Sequence, residues 1–128
     1  MKSPYPYFGG KSSVAYIIWE KFGNIENYVE PFCGSLAVLL ANPNIPKIET
    51  INDKDCFVTN FWRSIANDPE KVTKFADYPV SEVDLHARQK YCLSKYPELL
   101  DKMENDYTYY DAELAGYWVW RNVLFNRK

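Results

Sequence analysis

Three short stretches of this sequence carry residue types that could hold a ligand. The first is Pro6-Tyr7-Phe8-Gly9-Gly10-Lys11-Ser12. Its paired glycines let backbone come close to a ligand, and its lysine offers a point positive charge to a carboxylate or phosphate. It is not a phosphate-binding P-loop, because Tyr5 stands where that motif needs its first glycine and no strand precedes it. Read alone, an N-terminal arm with a flexible turn is the favoured reading. The second stretch, Val29-Glu30-Pro31-Phe32-Cys33-Gly34-Ser35, joins an acid, an aromatic ring and a glycine turn at the carboxyl end of a strand, where open α/β sheets place their ligands. The third is Asn52-Asp53, closing the next strand 23 residues after Glu30. An acid about 20 residues beyond a glycine turn is the Rossmann arrangement for binding ribose hydroxyls. The structural alternative is that Glu30 and Asp53 are helix-capping acids.

The elements that would position these stretches lie in the first half. Val14, Ile17, Ile18 and Phe22 recur at helical spacing after Ser12-Ser13, a pair able to cap, and Gly23-Asn24 closes a helix over 12–22. Residues 27–32 are aromatic and β-branched and read as a strand; Gly34 turns the chain into a helix over 36–41. Asn42-Pro43-Asn44-Ile45-Pro46 is a loop, and 47–51 alternate as a second strand. Together they make one βαβ unit with parallel strands. Beyond Asp55 the strand signals stop. Phe57, Val58, Phe61, Trp62 and Ile65 form a helical stripe, Pro69 opens a helix through Phe75, and Ser81-Glu82-Val83-Asp84 opens another like a capping box. Separate helices are expected over 98–103 and 110–124. On the last, Leu114, Tyr117, Trp118 and Arg121 share one side as a core stripe would. Two parallel strands are too few for a doubly wound sheet, so further strands are expected to cover it.

Composition removes several classes of function. At 128 residues the chain has room for one domain or a piece of one, and 47% hydrophobic with 25% charged residues excludes disorder. A net charge of -2, with six basic and six acidic residues in positions 1–64, is not that of an autonomous polycationic DNA-binding domain. Cys33, Cys56 and Cys92 have no CxxC spacing and His86 has no metal-ligand partner at helical spacing, so neither a zinc site nor a disulfide framework is expected, and a reducing cytoplasm fits. His86 reads as a surface residue and Cys33 as a small packing residue. No apolar run approaches the roughly 18 residues of a membrane span.

Taken in order, Tyr7-Phe8-Gly9-Gly10-Lys11, Glu30-Pro31-Phe32-Cys33-Gly34 and Asn52-Asp53 resemble the adenine-specific DNA methyltransferases of the Dam-like class, over residues 4–65 above all. Asn60-Phe61-Trp62-Arg63 and Ala115-Gly116-Tyr117-Trp118-Val119-Trp120 look like phage-type members. The resemblance implies an α/β, Rossmann-like S-adenosylmethionine-dependent methyltransferase fold, truncated, with a helical C-terminal segment. Residues 1–65 would be the cofactor-binding part, and 66–128 would lead toward the target-recognition region. It implies that Tyr7 and Lys11 contact S-adenosylmethionine, Lys11 facing its carboxylate, that Gly34 admits the cofactor, and that Asp53 binds its ribose. Gly10, Glu30 and Phe32 complete the implied cofactor-binding set.

Two departures stand out. Leu36 occupies the place of the family's second glycine, so the turn is expected to differ. The family's Asp-Pro-Pro-Tyr motif, which holds the target amine, is absent and would fall beyond residue 128; the one Asp-Pro here, Asp68-Pro69, leads into a helix. No catalytic residue and no metal ligand is therefore assigned. The expected partner is DNA, through the complete enzyme, with a second chain or self-association covering an open sheet edge and the apolar side of the 110–124 helix. A non-catalytic module of a split or degenerate methyltransferase is the second reading, and a small helical interaction protein the third.

Overall fold

A computed structural model describes residues 1–125, which divide into two compact units, Met1–Lys54 and Asp55 onward. In the first, α1 (Ala15–Phe22), β1 (Asn27–Glu30), α2 (Ala37–Leu40) and β2 (Ile48–Ile51) follow one another as a βαβ unit behind a leading helix. The strands are parallel, with Asn27 opposite Ile48 and Glu30 opposite Ile51. Period-two alternation turns Tyr28 and Glu30 inward. Ala15, Trp19, Tyr28 and Val38 form the core, where the Trp19 indole donates to the Val38 carbonyl at 2.6 Å and its ring lies 4.9 Å from that of Tyr28. On the other face Val29 and Ile48 are each 59% exposed.

Some boundaries differ from the sequence reading. The first helix starts at Ala15 rather than Ser12, and neither Ser12 nor Ser13 caps it; Val14 is its N-cap, without a side-chain bond, held by its N–H to the Lys11 carbonyl at 3.1 Å. The strands stop at Glu30 and begin at Ile48, each shorter than expected.

The second unit is helical. It contains α3 (Cys56–Asn67), α4 (Pro69–Ala76), α5 (Glu82–Asn105) and α6 (Ala112–Phe125). Starts follow local chemistry: the Asp55 carboxylate accepts from Phe57 N–H, Asp68 from Lys71 N–H with Pro69 behind it, and Ser81 Oγ from Asp84 N–H. The Asp-Pro pair is thus a helix N-cap. α3, placed with residues 1–65 by the functional division of the sequence, packs within this unit.

Two expectations fail here. Residues 98–103 are not a separate helix: α5 runs unbroken through Pro97, because buried Cys92, Leu99 and Met103 anchor both sides of the proline. Nor does α6 keep an uncovered apolar side along its first three turns, since Leu114, Ala115, Gly116, Trp118, Val119 and Trp120 are all buried among α3, α4 and α5, while Phe125 at its end is exposed. A helix apolar nearly all round becomes the centre of its bundle.

Candidate functional site

The N-terminal arm, the end of β1 and the end of β2 meet around a cavity of about 300 Å³. Its lining contains every residue of the cofactor-binding set implied by the resemblance: Tyr7, Gly10, Lys11, Glu30, Phe32, Gly34 and Asp53.

The arm reaches the cavity through a β-turn closed by Gly10 N–H on the Tyr7 carbonyl at 2.9 Å. Gly9, third in that turn, has φ +72°, a conformation glycine adopts without strain, and a Cβ on Gly10 would lie 2.9 Å from the Tyr7 carbonyl oxygen. The paired glycines are therefore required by the turn itself. Tyr5 anchors the arm, its buried hydroxyl donating to the Gly34 carbonyl at 3.1 Å, and the exposed Lys11 ammonium donates to the Phe32 carbonyl at 3.4 Å.

Beyond the strands the ladder continues into the site. Asn52 N–H donates to the Glu30 carbonyl and Cys33 N–H to the Asn52 carbonyl, both at 2.9 Å. Asp53 Oδ2 then accepts Gly34 N–H at 2.8 Å, tying the second strand's acid to the glycine turn of the first. Gly34 has φ +46°, and a Cβ there would meet the Tyr7 ring at 2.8 Å. The room that glycine leaves is occupied by the arm's own aromatic.

The turn expected to differ at Leu36 keeps a glycine-like backbone instead. Leu36 takes the left-handed conformation, φ 55° and ψ 30°, and buries its side chain in the first unit. That conformation costs roughly 1–2 kcal/mol for a residue with a Cβ, while full burial of a leucine is worth about 1.5–3 kcal/mol. Burial wins.

The charges are arranged unequally. Glu30 is buried and accepts from the Tyr28 hydroxyl at 3.0 Å. Burial pushes its carboxyl above the usual glutamate range, against the opposing pull of Tyr28, Lys11 and the Leu39 N–H. Burial, with Asp53 and Glu30 adding to it, holds the Cys33 thiol up at about 11, so at neutral pH it is a protonated packing residue. Among the described residues no group of His, Cys, Asp and Glu could hold a metal ion, and no helix is long and apolar enough to cross a membrane. His86 is exposed, 3.9 Å from Glu82 on its own helix.

Sequence reasoning missed Tyr5, Tyr28 and Phe8. Tyr28 was recoverable, since it lies two residues before Glu30 on one strand face. Tyr5 was not, because its hydrogen bond spans 29 residues. Phe8 lines the cavity between two residues the sequence did single out.

The donor set suits a molecule with an anionic group, hydroxyls and a flat ring: one lysine, two carboxylates and exposed aromatic rings around a glycine-lined cavity. No curated protein and no solved structure matches the chain. The sequence model of the D12 class N6 adenine-specific DNA methyltransferases, in contrast, matches residues 7–128, taking in all three site stretches and the helical unit. The chain belongs to the D12 class N6 adenine-specific DNA methyltransferase family.

Proposed function

We propose that the first unit is the S-adenosylmethionine-binding part of a Rossmann-like methyltransferase fold, serving methyl transfer to the exocyclic amine of adenine in DNA. Lys11 holds the cofactor carboxylate, Asp53 the ribose hydroxyls, and Tyr7, Gly10, Glu30, Phe32 and Gly34 form the walls. The observation that carries this reading is the convergence of those residues, from three separate stretches, on one cavity. S-adenosylmethionine supplies an electrophilic methyl group on a sulfonium; this chain's residues bind and orient it. The helical part leads toward target recognition.

A second reading has its own support: the sequence contains no Asp-Pro-Pro-Tyr, and its one Asp-Pro caps α4. On that reading these 128 residues bind cofactor and transfer nothing alone, the acceptors for the amine coming from a further segment or chain. Exposed Val29 and Ile48 on the open sheet face support association with a second chain or a second copy.

Calorimetry decides the cofactor claim. The chain should bind S-adenosylmethionine, and Lys11→Ala should weaken it by about 1–2 kcal/mol, with high salt reproducing part of the loss because Lys11 is exposed. Absence of binding by the unmodified chain would overturn the reading.

A further inference from the structure

The arm's aromatic residues are used very differently. Tyr5 is 2% exposed and hydrogen-bonded to the Gly34 carbonyl, and Tyr7 lies against Gly34. Phe8 follows at the second position of the turn, lines the cavity, and is 90% exposed. Single exposed phenylalanines are ordinary on protein surfaces. This one differs in its location, because it borders a cavity that holds Lys11, Glu30 and Asp53, and because a second ring on the same cavity, Phe32, is 72% exposed. The turn explains the exposure: Gly9 at φ +72° and Gly10 packed on the Tyr7 carbonyl set the backbone, so the side chain at Phe8 has no part in holding it.

An exposed aromatic that the fold does not use, on the rim of a charged cavity, suits stacking on a flat ring. We propose that Phe8 is a ring-stacking residue of this site and that its partner is an adenine ring. Resting on the functional reading above, the inference has two sources for that ring, the cofactor and the target base, which share this chemistry. Phe32, on the same cavity, offers the ring a second apolar surface.

The experiment uses the 128-residue chain, its Phe8→Ala and Phe8→Trp variants, and two probes. S-adenosylmethionine is titrated by calorimetry, and a single-stranded oligonucleotide of adenines by fluorescence anisotropy in the presence of cofactor. Phe8→Ala should weaken one of the two about tenfold, within what base stacking supplies, and Phe8→Trp should restore it. Thermal melting of Phe8→Ala should match the unmodified chain, since the side chain is almost wholly exposed. A loss in the cofactor titration assigns the ring to the cofactor; a loss with the oligonucleotide alone assigns it to the base. If the unmodified chain binds S-adenosylmethionine and Phe8→Ala matches it with both probes, this inference falls while the site stands. If the unmodified chain binds no cofactor, the site reading falls and takes this inference with it.

Discussion

Asp53 has a structural duty beside its proposed one, and the two are separable. Its carboxylate accepts Gly34 N–H, which an asparagine oxygen can also do, whereas only the carboxylate makes charge-assisted bonds to hydroxyls. Asp53→Asn should therefore weaken S-adenosylmethionine binding by about 1–2 kcal/mol with little change in melting temperature. Asp53→Ala should lose both affinity and stability; unchanged affinity in a folded Asp53→Asn would remove Asp53 from the cofactor site. Glu30 makes a prediction in pH. Because burial raises its folded-state pKa above the unfolded one, the folded chain holds the proton more tightly. The resulting stability is complete below the ordinary glutamate range and is lost as pH rises through the raised value. Glu30→Gln, which can still accept from Tyr28, should flatten that part of the melting-temperature profile and melt higher at neutral pH. An unaltered profile would show that Glu30 titrates alike in both states.

In the helical unit, packing and propensity oppose each other at two places. Gly116 sits inside α6, where alanine would favour an isolated helix by about 1 kcal/mol. A Cβ there would meet Phe75 Cβ at 2.5 Å and the Val72 carbonyl oxygen at 2.8 Å, pushing α4 away. Overpacking typically costs 1–3 kcal/mol, so Gly116→Ala should lower stability toward urea by about that much. Pro97 presents the reverse case. It is exposed within α5, lacks the N–H a helix needs there, and is retained although an interior proline costs about 3 kcal/mol. Pro97→Ala should raise stability by about 1–3 kcal/mol; a decrease would mean that packing depends on a proline bend. Asn60, fully buried, donates to the Asp111 carbonyl at 2.9 Å and accepts Asp111 N–H at 2.7 Å, fastening α3 to the start of α6.

For the chain as a whole, the sequence contains the residues proposed above to bind the cofactor and no Asp-Pro-Pro-Tyr motif. Radiolabelled methyl transfer from S-adenosylmethionine to adenine-containing DNA should therefore be undetectable with these 128 residues alone. Robust transfer would mean that other side chains of this sequence hold the amine. The open face carrying Val29 and Ile48 is the surface on which association should depend, since parallel sheets are stable when both faces are covered.

What could be read from the residues in order was local in its physics. The helix starts at Pro69 and Ser81 rest on chemistry within a few residues, strand alternation places Tyr28 and Glu30 on one face, and the three site stretches were recognisable because each is short. Contacts distant in sequence were decided only by packing. The Tyr5 bond to Gly34, the Tyr7 ring filling the space beside Gly34, the left-handed Leu36 and the continuity of α5 through Pro97 each set a local cost against burial or a bond contributed by residues elsewhere. α6 shows the same limit: its sequence announced a core stripe along one side, but that three helices surround it depends on where the chain returns, which no local pattern encodes.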